Sequence, residues 1–182
     1  MGKLFVISGA SGVGKSTVLK QVMEARKDLA FSVSATTRAP RPGEVDGQSY
    51  YFITKAQFEE MIARNEFLEY DAHMDNYYGT PKDQLEEKLS RGHVLLDIEP
   101  NGAFIVRKAR PDATLIFIAP PSVEELEKRL RSRGDTSEEQ IVKRLGRSQW
   151  EMEQGKKYDH YVVNDQVETC AEEILKIIAN AN

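Results

Sequence analysis

The segment Leu4-Phe5-Val6-Ile7-Ser8-Gly9-Ala10-Ser11-Gly12-Val13-Gly14-Lys15-Ser16 decides the reading of this chain. Leu4 to Ile7 is a continuous apolar run, the pattern of a strand buried on both faces of a parallel sheet. Gly9 to Ser16 fits G-x-x-x-x-G-K-[ST], and a helical stripe of Val18, Leu19, Val22 and Met23 follows. A strand, a glycine-rich turn and a helix in this order make a phosphate-binding loop. The glycines let backbone N–H groups turn inward onto phosphate oxygens, and the helix N-terminus adds partial positive charge. Lys15 is placed to reach the β- and γ-phosphates, and the Ser16 hydroxyl to ligate Mg2+. Such a loop marks a nucleoside triphosphate site without separating kinases from GTPases or ATPases. The base-reading N-K-x-D segment of a GTPase is missing, because Asn164-Asp165 lacks the intervening lysine.

Working outward, Val94 to Ile98, Leu115 to Ile118 and Tyr161 to Val163 repeat the buried-strand pattern of Leu4 to Ile7. Helical signals separate them. Thr80 and Pro81 read as the N-cap and first position of a helix ended by Gly92. Ser122 and Glu125 read as a capping box, and Ala171, Ile174, Leu175 and Ile178 stripe a last helix. This alternation predicts a three-layer α/β domain with a parallel sheet. Two stretches depart from it. From Phe31 to Tyr78 the chain is rich in Thr, Tyr and Phe, with a short helix at Thr54 to Asn65 capped by Thr54 and Gln57. This predicts a small mixed β insertion. From Arg129 to Trp150 the chain is highly charged, which predicts a surface helical excursion with a second capping box, Ser137 to Gln140.

The length of 182 residues suits one compact domain. A net charge of −4 disfavours nucleic acid as a partner. An anion site here must therefore concentrate its arginines locally. One cysteine, Cys170, rules out an intramolecular disulfide and fits a reducing, cytoplasmic setting. No apolar run approaches the ~20 residues of a membrane span. The N-terminus reads as a strand rather than a signal peptide, and it lacks the Ser or Thr of a myristoylation motif. His73, His93 and His160 show no metal-ligand spacing and read as structural or solvent-facing.

Arg38 and Arg41 lie in the proline-stiffened stretch Ser32-Val33-Ser34-Ala35-Thr36-Thr37-Arg38-Ala39-Pro40-Arg41-Pro42-Gly43-Glu44. Planar guanidinium groups suit bidentate phosphate recognition, although a lone arginine reads by default as a solvated surface group. Asp46-Gly47-Gln48-Ser49-Tyr50-Tyr51-Phe52, Phe67-Leu68-Glu69-Tyr70 and Asn76-Tyr77-Tyr78-Gly79-Thr80-Pro81 complete a pattern. Together with the phosphate loop, these segments resemble the guanylate kinase family from Lys3 to about Asp165.

The resemblance implies a P-loop kinase fold. Its parallel-sheet core covers about 1–31, 81–128 and 151–182, its GMP-binding insertion about 32–80, and its helical lid about 129–150. It implies the reaction ATP + GMP = ADP + GDP, with Mg2+ accompanying ATP. Gly9, Ala10, Ser11, Gly12, Val13, Gly14, Lys15, Ser16, Thr17 and Asn164 become the ATP contacts, and Ser16 and Asp97 the Mg2+ site. Arg38, Arg41, Tyr50 and Tyr78 become the clamp on the GMP phosphate. Ser34, Glu69 and Thr80 become guanine contacts. Guanine presents two adjacent donors, N1–H and the exocyclic amine, and one carboxylate can accept both. Adenine's N1 is an acceptor and would face Glu69 unpaired, so such a site can reject the wrong base by ~10⁴ or more. Arg129 and Arg133, four apart on one helix face, and Arg144 become lid arginines that close on the transferring phosphoryl group. With Lys15 and Arg38 they make the catalytic set. No dedicated general base is required, because the GMP phosphate is already an anionic nucleophile.

The pattern is broken in two places. The family usually shows D-I-D-x-Q-G-A where this chain reads Asp97-Ile98-Glu99-Pro100-Asn101-Gly102-Ala103. Glu99 replaces a base-contacting Asp with a side chain one methylene longer, and it is kept as a guanine contact. Asn101 replaces Gln, and Gln166 stands where a second Asp is usual. Arg131 and Arg147 match no family role. Two rival readings remain at this level: a non-catalytic guanylate-kinase-like binding module, and a P-loop kinase for another small phosphate acceptor. Oligomeric state is not legible.

Overall fold

A computed structural model describes residues 2–73, 75–132 and 137–181. Five parallel strands form the central sheet in the order β2 (Ala30–Phe31), β7 (Val94–Asp97), β1 (Leu4–Gly9), β8 (Thr114–Ala119) and β9 (His160–Val163). β1 sits at the centre with Leu4, Phe5, Val6 and Ile7 fully buried, as a continuous apolar strand requires when helices cover both faces. Helices α1 (Lys15–Ala25), α3 (Lys82–Arg91), α4 (Pro100–Ala109), α5 (Val123–Ser132), α6 (Glu138–Gly155) and α7 (Val167–Asn180) surround it. Their buried residues, among them Val18, Val22, Leu85, Leu89, Val106 and Ile174, join one core with the strands.

The β-rich insertion is a second sheet in the order β4 (Tyr51–Phe52), β3 (Ala35–Thr36), β6 (Asn76–Pro81) and β5 (Phe67–His73). β3 runs parallel to β4 and antiparallel to β6, so the sheet is mixed as expected. Helix α2 (Lys55–Ala63) carries the full Thr54–Gln57 capping box. Phe58 closes a small core of its own, stacking on Phe67 at 4.3 Å and Tyr77 at 5.0 Å between ring centroids.

Three sequence expectations shift. Tyr161 to Val163 is not buried on both faces: β9 is the sheet edge, and only Val162 points into the core. Thr80 is not a helix N-cap. It belongs to β6, Pro81 takes the N-cap position of α3, and no side-chain cap is made there. The charged excursion falls in two helices, α5 and α6, and does bury apolar residues, Leu130 and Ile141. Ser122 and Ser137 accept the Glu125 and Gln140 N–H groups at 3.1 and 3.4 Å, the serine half of each expected capping box.

Candidate functional site

The phosphate loop crosses from the end of β1 to the start of α1. Gly12 and Gly14 take φ of 84° and 90°, left-handed backbone that L side chains rarely adopt. Gly14 is the N-cap of α1 and leaves that helix terminus uncapped by any side chain, the arrangement that favours an anionic ligand. Gly9 to Ser16 line a cleft of about 730 Å³ together with Arg41, Asp97, Glu99, Lys143, Arg144, Arg147 and others. Lys15 Nζ donates to Asp97 Oδ1. Burial, the largest single influence, lowers the Lys15 pKa, but Asp97, together with Glu99 and Tyr50, reverses it and the net direction is upward. The ammonium therefore stays charged, and its three donors leave capacity for phosphate oxygens.

No group of three or more His, Cys, Asp or Glu residues among the described residues is placed to cage a metal ion. The Ser16 hydroxyl and the Asp97 carboxylate, both lining the cleft, are hard oxygen donors. That sparse set fits Mg2+, which keeps several waters and takes further ligands from substrate phosphates.

A second pocket of about 220 Å³ adjoins the first, and Lys15, Asp97 and Glu99 line both. Ser34, Tyr50, Glu69 and Tyr78, all expected around an acceptor nucleotide, meet here with Asp71, Gly79, Ile98 and Gly102. Glu69 is 5% exposed, and the Thr80 hydroxyl donates to its Oε1 at 2.6 Å. A bulge between Phe67 and Glu69 sets the register that puts Glu69 directly opposite Thr80 on β6. Burial pushes the Glu69 carboxyl up to about 7, against the Thr80 hydrogen bond, which favours ionisation. Space for the carboxylate comes from Gly102 on α4: a Cβ there would stand 2.7 Å from Glu69 Oε2.

Other expected residues are brought near without lining either cavity. Among the described lining residues, Arg38, Thr17, Thr80, Arg129 and Asn164 are absent. Thr80 is fully buried and is absent from the pocket lining, so it supports the Glu69 carboxylate rather than facing the pocket. Arg38 forks onto Glu44 at 2.8 and 2.9 Å, with its guanidinium 5.4 Å from the Tyr50 ring centroid. Arg41 lines the phosphate-loop cleft rather than the smaller pocket. Asn164 braces the loop: its Nδ2 donates to the Val13 carbonyl at 2.8 Å, while Arg129 donates to the Asn164 carbonyl at 3.1 Å. Thr17 is exposed on α1. Arg144 lines the large cleft, and Arg133 lies outside the described residues. Of the histidines, His93 accepts the Lys3 N–H at 2.9 Å and His160 is exposed.

Sequence reasoning passed over four supporting residues. Glu44 holds Arg38 and also accepts the Arg41 N–H at 2.7 Å. Arg38, then Arg41, draws its carboxyl down to about 2. Its place at the end of the arginine-bearing motif was the available signal. Ser148, Glu151 and Arg147 of α6 reach the phosphate loop and Glu99. Only their helical spacing marked them, and any charged helix shows such spacing.

Known proteins converge on one family. The guanylate kinase family profile matches residues 1–181. A guanylate kinase of Trichormus variabilis is 49% identical over 174 residues, covering 95% of this chain and 87% of its own. One from Thermus thermophilus is also 49% identical, over 178 residues, covering 97% and 80%. The crystal structure of guanylate kinase from Anaplasma phagocytophilum superposes with a TM-score of 0.80 at 31% identity, covering 98% of this chain and 85% of that one. With its phosphate loop, its mixed-sheet insertion and this similarity along nearly its whole length, the chain belongs to the guanylate kinase family.

Proposed function

We propose that the chain transfers the γ-phosphoryl group of ATP to GMP, giving ADP and GDP, within purine nucleotide metabolism. The observation that carries this reading is the pair of adjoining cavities that share Lys15, Asp97 and Glu99. A triphosphate on the loop and a nucleoside monophosphate in the smaller pocket then meet at Lys15. Phosphoryl transfer asks mainly for alignment and charge neutralisation. The loop N–H groups, Lys15 and Arg144 supply these on the donor side. Arg38, Arg41, Tyr50 and Tyr78 hold the acceptor phosphate, and Ser34, Glu69 and Glu99 read guanine, with Thr80 fixing Glu69. Ser16 and Asp97 would hold Mg2+ through oxygen ligands, and the ion would supply neutralising charge to the bound phosphates.

Residues 32–80 act as the GMP-binding segment and about 129–150 as the lid over the core, with Arg129 and Arg133 among the lid arginines. A cytoplasmic setting fits the single buried thiol, Cys170. No helix of the described residues is long and apolar enough to cross a membrane. A coupled assay of ADP formation with GMP, AMP, UMP and CMP as acceptors tests the reaction. GMP should be the preferred acceptor. No ADP above background with GMP, or faster turnover with AMP, overturns it.

A further inference from the structure

Arg147 occupies a position that the reaction above leaves without a role. Its Nη2 donates to Glu99 Oε2 at 2.6 Å, and its Nε donates to Glu151 Oε1 at 2.9 Å. Arg147 and Glu151 stand four apart on α6, so they share a helix face. Glu151 is 2% exposed, and its Oε2 accepts the Ser11 N–H at 2.8 Å. Ser148, one residue beyond Arg147, donates its hydroxyl to the Ser11 carbonyl at 3.1 Å. Both sides of the Ser11 residue in the phosphate loop are thus fixed by α6. At the far end, Glu99 lines both cavities and is the N-cap residue of α4.

We propose that Arg147 is a positioning residue that couples the acceptor pocket to the phosphate loop, by holding Glu99 at the seam of the two cavities and Glu151 against Ser11. This rests on the proposed reaction, in which the two cavities take two different nucleotides. The bridge has two states with different contacts. Formed, it orients the Glu99 carboxylate and completes the partners of Glu151. Broken, it leaves Glu99, 57% exposed at its side chain, to swing toward solvent, and the buried Glu151 carboxylate keeps fewer partners, a costly condition. A ligand seated on the loop favours the formed state through Ser11, and one seated beside Glu99 favours it from the other side. Coupling of this kind is reciprocal.

The length of the glutamate side chain at 99 belongs to the same device. Removing one methylene retracts the carboxylate by up to about 1.5 Å, one C–C bond. A 2.6 Å contact stretched that far is no longer a hydrogen bond. The longer side chain is what lets residue 99 reach Arg147.

The test is calorimetric titration of GMP into the full chain, with and without a saturating non-hydrolysable ATP analogue and Mg2+. The unaltered chain should bind GMP at least ~5-fold more tightly with the analogue present. Arg147→Ala and Glu99→Asp should each bring that ratio to within about twofold of one, and the double variant should add nothing further. Arg147→Lys should restore only part of it, since one ammonium cannot hold both carboxylates in a planar fork. Glu99→Asp leaves the Arg147–Glu151 pair in place, so the test survives if Arg147→Ala fails to fold. A merely structural role would lower stability without moving the ratio. A ratio near one in the unaltered chain, or an unchanged ratio in Glu99→Asp, overturns the coupling. Failure of GMP to bind under either condition would instead overturn the proposed reaction.

Discussion

At the residue scale, two side chains carry different kinds of information. Lys15 is positioned by the loop that precedes it and kept charged by Asp97. In the proposed reaction its work on the transferring phosphoryl group would be electrostatic, so Lys15→Ala should lower kcat by ~10² or more while the protein stays folded. Steady-state kinetics beside a circular dichroism spectrum would check this, and a folded variant with most of its activity would remove Lys15 from the chemistry. Glu69, as the proposed guanine contact, would act through hydrogen-bond pattern instead. Glu69→Gln keeps the shape but turns one acceptor into a donor amide facing guanine's donors. The buried mismatch costs ~1–3 kcal/mol, so kcat/KM for GMP should fall at least ~10-fold. The loss with AMP should be smaller, because adenine N1 gains a donor. Equal losses with both nucleotides would make Glu69 a structural carboxylate.

At the element scale, α6 joins the proposed lid segment to the core. Its first half carries Gln140, Lys143 and Arg144 at the large cleft, and its second half is fixed to Ser11 by Ser148 and Glu151. If the segment closes over substrates as proposed, its pivot lies ahead of Ser148. Hydrogen exchange should show amides of 138–147 slowing at least ~10-fold when both nucleotides bind, with 148–155 little changed. Uniform protection along the helix would argue for rigid-body motion of all of α6. The same scale shows what was legible in the sequence. β1, the loop and α1 were readable because glycine spacing and apolar runs are local signals. The cap at Thr54 was readable for the same reason. Thr80 was not, because its hydroxyl satisfies Glu69 across a strand pair, and no local pattern encodes that partner. The exposed side chains of β9 escaped notice because an edge strand and a central strand share one apolar composition. Arg147 was legible as a charged helix residue and illegible as a bridge, since both its ends lie on other elements or another turn.

At the scale of the whole molecule, stability and acceptor binding share one proton. Burial lifts the Glu69 carboxyl from an ordinary 4.5 to about 7 in the folded chain. The fold thus prefers the protonated form. Its contribution is fully present below the unfolded pKa near 4.5 and is lost as pH rises through about 7. Between pH 5 and 8.5 this removes roughly 2–3 kcal/mol of unfolding free energy. Glu151, also raised by burial, changes stability in the same direction, so the comparison must be with Glu69→Gln rather than with pH alone. Urea unfolding should show the unaltered chain losing that much more stability than the variant across this range. In the proposed site guanine would reverse the preference, since its two donors would stabilise the carboxylate. Below pH 7, GMP must expel the proton to bind, and its affinity should weaken by up to about tenfold per pH unit. Saturating GMP should accordingly flatten the stability difference between the two proteins, because the bound carboxylate no longer titrates near 7. If both proteins lose stability equally from pH 5 to 8.5, the buried carboxylate is not the group that titrates. If the difference appears but survives saturating GMP, Glu69 titrates without meeting the base.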